Sequence, residues 1–217
     1  GVAARLAALL CGAAEAGRNV VTLWTYAERL ETVGEWFRQL WAESLGKQLP
    51  DGGRVGQTPL HCVGSTDQHS IQQLMVEGPR DKVVLVLAGP APRAPDTKGL
   101  QPMLEALRTV DEAGGAELMR SILDAMRRAT TAGMVRAGCP AATLRLDGWG
   151  ESDLGALLMT FLCATVLGGE LLGVSPYGQP GVEAAKIATK ELLAGPGGAA
   201  DEEIGRLLGE GAGQRCP

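Results

Sequence analysis

The stretch KVVLVLA, Lys82–Ala88, decides the fold. Every residue after Lys82 is apolar and three are β-branched valines, in a run too short for a buried helix. That pattern belongs to a parallel strand covered on both faces. Working outward, Asn19–Trp24 (NVVTLW) is a second strand-like run, Leu60–Val63 a short extended piece, and Ala141–Leu146 the last strand expected. Helical patterns separate them: Val2–Ala16, Ala27–Leu45, Asp67–Glu77, a region ending near Arg136, an apolar helix to Leu172 with Ser152 as its N-cap, and Val182–Leu193. Strands joined through crossover helices predict an α/β fold: a three-layer, doubly wound parallel sheet flanked by helices, with ligands at the carboxyl ends of the strands.

Composition narrows the class. The 217 residues are 45% apolar and 21% charged, so one substantial α/β domain accounts for the chain without invoking disorder. The expected organisation is one domain over residues 1–194, followed by a Gly-rich, weakly structured tail over 195–217. The segment Gly89–Pro102 has four prolines and reads as an exposed connection. A formal charge of −5 argues against a nucleic-acid partner, which needs a concentrated basic surface.

Five cysteines, odd in number and never spaced CxxC, indicate neither a disulfide framework nor a zinc site and fit a reducing cytoplasm. The apolar run Leu154–Gly169 is shorter than the ~20 residues of a bilayer span and ends at Glu170, so it reads as a buried helix and no membrane partner is expected. The opening GVAARLAALLCGAA is interrupted by Arg5 and reads as an amphipathic helix, not a signal peptide. Starting in mid-helix at Gly1, the chain reads as a piece of a longer protein.

Three polar constellations break the apolar pattern. In QLWAESLGK, Gln39–Lys47, Gln39 and Glu43 are four apart and share a helix face. Glu43 and Lys47 are also four apart, so a surface ion pair explains the same letters. In GSTDQHS, Gly64–Ser70, an extended piece gives way to a helix, whose N-terminus would suit an anion, and His69 could carry a proton near neutral pH. A capping cluster is the simpler account. His61 reads as a partly buried residue of the extended piece. In PYGQPGVEAAK, Pro176–Lys186, a turn feeds a helix and can aim Gln179 and Lys186 toward a common point, while a loop followed by a solvated lysine explains the same letters.

Taken in order, QLWAESLGK, GSTDQHS and GELLGVSPYGQPGVEAAK resemble the glucose-6-phosphate isomerase family, whose second signature ends in Q-x-G-V-E-x-x-K. The resemblance implies a sugar-isomerase domain and an aldose–ketose isomerase of glycolysis and gluconeogenesis, interconverting glucose 6-phosphate and fructose 6-phosphate through a cis-enediol, without metal or cofactor. By the same resemblance Glu43 is the base moving a proton between C1 and C2. A carboxylate suits that work because its two oxygens can reach both carbons. His69 and Lys186 match the ring-opening groups, with His69 supplied across a homodimer interface, and Gln39 and Gln179 match substrate contacts.

Gly178 departs from the family's usual aspartate or asparagine. The family's G-G-R-[FY]-S segment and its Ser/Thr-rich phosphate loop are not in the sequence. The expectation is therefore a C-terminal half, joined to a missing N-terminal half and nearly inactive alone, because remote phosphate binding positions the reacting carbons. A non-catalytic sugar-phosphate-binding module and a phosphomannose or dual-specificity isomerase are the other readings.

Overall fold

A computed structural model describes residues 1–91, 112–195 and 198–209. The Pro-rich connection past residue 91 and Cys216 lie outside the described residues. The residues group into two compact units, Gly1–Pro176 and Tyr177–Pro217.

In the first unit the strands are β1 (Val20–Thr25), β4 (Thr58–Val63), β5 (Lys82–Ala88) and β6 (Ala141–Arg145), with a short antiparallel hairpin of β2 (Lys47–Gln48) and β3 (Arg54–Val55) in the connection that leads to β4. The main sheet is parallel throughout, in the order β4-β1-β5-β6. The helices are α1 (Val2–Glu15), α2 (Glu31–Leu45), α3 (Gln72–Glu77), α4 (Glu112–Arg136) and α5 (Glu151–Leu172). The expected doubly wound α/β architecture is present.

Period-two alternation splits the core into two layers. Val21, Leu23, Val83, Leu85 and Leu87 face α1, α2 and α5, while Trp24, Val84 and Val86 face Met75 of α3 and Met134 of α4. All seven residues of β5 are buried, which is why its sequence shows no polar face. Phe37 of α2 meets Phe161 of α5 at 4.9 Å between ring centroids and Trp41 at 5.6 Å. Aromatic contacts of this kind add about 0.5–1.5 kcal/mol each beyond their burial. Gly168 lets α5 approach Leu45 and Trp41 of α2, since a Cβ there would lie 3.2 Å from Leu45 Cδ1.

α5 has the length and apolar composition to cross a membrane, and here one of its faces, through Leu157, Phe161 and Ala164, packs into the core. Its start differs from the Ser152 expectation. Gly150 is the N-cap, and Asp153 Oδ2 accepts the Gly150 N–H at 2.9 Å, so a carboxylate in the first turn closes the end and Ser152 falls inside the helix.

The second unit contains α6 (Pro180–Ala194) and α7 (Ala199–Leu208). The latter forms where the Gly-rich sequence reads as weakly structured, because residues 199–208 (AADEEIGRLL) keep an amphipathic helical spacing with acidic residues in the first turn.

Candidate active site

α2 runs back along β4. Its early residue Gly34 lies against the His61 ring, and Gly46 at its end lies against Gly56, two residues before β4 begins. Glu43, near the C-terminus of α2, therefore sits toward the amino ends of the strands. Its neighbour Gln39 donates from Nε2 to both carboxylate oxygens, at 3.3 and 3.4 Å, on an exposed face of the helix. The shared face expected from the four-residue spacing is thus formed, and the amide fixes the carboxylate's orientation.

His69 lies at the other end. It closes a 3₁₀ turn, Thr66–His69, beyond the carboxyl end of β4, and is exposed. Asp67 builds that turn: Oδ2 accepts the Val63 N–H at 2.7 Å and Oδ1 accepts the Ser70 hydroxyl at 2.7 Å. Gln68 braces it by donating to Tyr26 Oη and Thr130 Oγ1, each at 2.9 Å. The anion-binding helix end expected here is replaced by turn geometry. The Ser70 and Ile71 N–H groups both donate to the Asp67 carbonyl, and α3 itself is six residues long.

A strand of six residues spans on the order of 20 Å, so Glu43 and His69 of one chain are separated by about the height of the sheet. Gln179 and Lys186 belong to the second unit. Gln179 caps α6 with its carbonyl, which accepts the Val182 and Glu183 N–H groups, and Lys186 Nζ donates to Glu183 Oε1 at 2.8 Å on the exposed helix surface.

His61 is more tightly engaged than its sequence context indicates. Its side chain is 3% exposed, with Nδ1 2.9 Å from Glu35 Oε1 and Nε2 3.0 Å from Thr25 Oγ1, while Thr25 donates on to the Cys62 carbonyl. The hydrogen bond from His61 holds the Glu35 carboxyl below the ordinary carboxylate range. This chain of contacts ties α2 to β1 and β4.

The carboxyl ends of β1, β5 and β6, where ligands were expected, enclose a cavity of about 330 Å³. Arg29, Asp124, Arg127, Arg145 and Trp149 are among its lining residues. None of them stood out in the sequence, because they come from four places: the 3₁₀ turn after β1, α4, the end of β6 and the loop that follows it. A topological signal was available: the chain passes from β1 to β4 on one side and to β5 on the other, which opens a crevice at that point.

No protein-family model matches the chain. It is 47% identical over 179 residues to a probable glucose-6-phosphate isomerase of Halobacterium salinarum, across 82% of this chain and 39% of that protein. To the glucose-6-phosphate isomerase of Rubrobacter xylanophilus it is 43% identical over 185 residues, across 85% and 41%. Among solved structures, a hypothetical protein from Thermus thermophilus superposes with a TM-score of 0.71 at 33% identity, covering 87% of this chain and 44% of that one. A Chlamydia trachomatis glucose-6-phosphate isomerase shares the fold at a TM-score of 0.65 and 16% identity, covering 89% and 38%. The chain spans about two fifths of the length of the curated relatives it matches, and over that span it is similar to glucose-6-phosphate isomerases.

Proposed function

We propose that this chain carries the proton-transfer part of an aldose–ketose isomerase acting on glucose 6-phosphate and fructose 6-phosphate. The observation that carries the reading is the Gln39–Glu43 pair, a carboxylate oriented by an amide on the open face of a helix whose buried face is clamped to the core. Glu43 would take the proton from C2 of the open-chain aldose, leaving a cis-enediolate that becomes the cis-enediol on protonation at O1, and return it to C1 as the O2 hydroxyl loses its proton, each carboxylate oxygen serving one carbon.

Ring opening needs a proton delivered to the ring oxygen and another removed from a hydroxyl. His69 and Lys186 have the chemistry for those transfers. Because His69 stands at the opposite end of the sheet from Glu43, we infer that the His69 acting beside a given Glu43 comes from a second copy, in a cytoplasmic homodimer. Gln179 would contact the substrate. The domain carrying this chemistry is taken as residues 1–194, with 195–217 appended. The remainder of the enzyme, corresponding to the length of the relatives that this chain does not span, would hold the phosphate and so position C1 and C2.

A coupled assay for conversion of fructose 6-phosphate to glucose 6-phosphate tests this, run on the chain alone and on the chain joined to the complementary region of the Halobacterium salinarum relative. Activity is expected only in the joined protein. Glu43→Gln in that protein should abolish isotope exchange at C2 while substrate still binds. Undiminished exchange in the variant would refute the assignment of the base.

A further inference from the structure

The cavity at the carboxyl end of the sheet has no part in the chemistry above, since none of Gln39, Glu43 and His69 lines it. Its walls are cationic in a chain that is acidic as a whole. Arg29, Arg120, Arg127 and Arg145 face two carboxylates, Glu28 and Asp124, an excess of two positive charges against a chain total of −5.

The guanidinium groups are braced. Asp124 Oδ1 accepts from Arg127 Nε at 3.1 Å, from Arg127 Nη2 at 2.8 Å and from Arg145 Nη2 at 2.8 Å, so one oxygen serves two arginines. Arg145 Nη1 also donates to the Gly89 carbonyl at the end of β5, at 3.0 Å. Arg127 is only 7% exposed, which makes its charge a built feature of the cavity and not a surface accident. Burial alone would raise the Asp124 carboxyl, but the hydrogen bonds from Arg145 and Arg127 outweigh it and hold the group below its usual range.

Trp149 forms an aromatic part of the wall, with the Arg29 guanidinium 5.7 Å from its ring centroid. Gly89 makes room for the indole, because a Cβ there would lie 2.3 Å from Trp149 Cζ2. Arginines held in place by a carboxylate and a carbonyl lose little further side-chain freedom on meeting an anion, and their planar forks match phosphate oxygens. A volume of about 330 Å³ is the size of a small-metabolite site.

We propose that this cavity is a second ligand site, specific for a small phosphate monoester whose phosphate meets Arg145 and Arg29 beside Trp149. The proposal stands independently of the isomerase reading, and its test separates the two. The 217-residue chain is titrated with inorganic phosphate while the Trp149 indole and the Arg145 side-chain resonances are followed by NMR. Both are expected to shift. Arg145→Gln should weaken binding by about tenfold or more, as expected for losing a charge-assisted hydrogen bond, and the exposed Arg29→Gln by about two- to fivefold. Glu43→Gln should leave it within about twofold, whatever that variant does to isomerisation. An unmoved Trp149 resonance, or phosphate affinity unchanged in Arg145→Gln, overturns the proposal. Should Arg145→Gln fail to fold, unchanged affinity in Arg29→Gln overturns it equally.

Discussion

Replacing Gly34 by alanine tests how α2, and with it Glu43, is held. An added Cβ would lie 2.2 Å from His61 Cδ2 and 2.3 Å from Nε2, far inside contact distance. The ring cannot swing aside freely, being fastened at Nδ1 to Glu35 and at Nε2 to Thr25, with only 3% of the side chain exposed. Forced overlap in a packed site costs about 1–3 kcal/mol. Driving the ring from its hydrogen bonds leaves buried polar atoms unpaired, at about 1–3 kcal/mol more. Alanine's better helix propensity offsets about 1 kcal/mol. The net expectation is a destabilisation of about 3 kcal/mol, a large part of the roughly 5–15 kcal/mol typical of a folded domain. Urea unfolding monitored by circular dichroism measures it, with Gly34→Ala/His61→Ala as the control. Without the ring the new methyl meets no obstacle, so the cost of Gly34→Ala should shrink by at least about 1.5 kcal/mol in the His61→Ala background. An unchanged midpoint for Gly34→Ala, or strict additivity in the double variant, would refute the claim that this contact positions α2.

Three further expectations follow from buried groups. Asp124 has a depressed carboxyl, so its contribution to stability is complete above the unfolded value near ~4 and is lost as pH falls through the lower folded value. Asp124→Asn should therefore flatten the acid side of the stability profile, and an unaltered profile would sink that reading. Thr22 is fully buried in β1, and its Oγ1 has no hydrogen-bond partner among the described residues, so Thr22→Val should raise stability by about 1 kcal/mol. A clear loss in urea midpoint would show that the hydroxyl is satisfied. Burial pushes the Cys62 thiol up to about 12, with the Asp67 charge adding to the effect, whereas Cys163 is exposed. Mass mapping after brief labelling of the folded chain near neutral pH should find Cys163 modified well before Cys62, and the reverse order would contradict the packing around β4.

Much of the fold was legible because burial on both faces leaves a plain mark. KVVLVLA has no polar face to offer water, and it became the strand paired on both sides in the middle of the sheet. The helices α1 and α2 were equally readable from apolar spacing. End details were less so. The cap of α5 depends on which carboxylate or hydroxyl folds back onto a backbone N–H, and Asp153 takes that role within a stretch where Ser152 looks as suitable. The Asp67–Ser70 segment has the letters of a helix start, yet its N–H groups close a 3₁₀ turn because Asp67 is also tied to the end of β4.

For the site, sequence by itself determined the local facts: that Gln39 and Glu43 share a helix face, that His69 follows a strand, and that Lys186 lies within a helix. Helical and strand periodicity are properties of neighbouring residues, so spacing along the chain is enough to state them. Tertiary structure decided which groups lie near one another. The antiparallel return of α2 along β4 set Glu43 and His69 at opposite ends of the sheet, and the passage of the chain to either side of β1 gathered Arg29, Asp124, Arg127, Arg145 and Trp149 around one cavity. Those residues are far apart in sequence, and only the packing of the sheet against its helices brings their charges together.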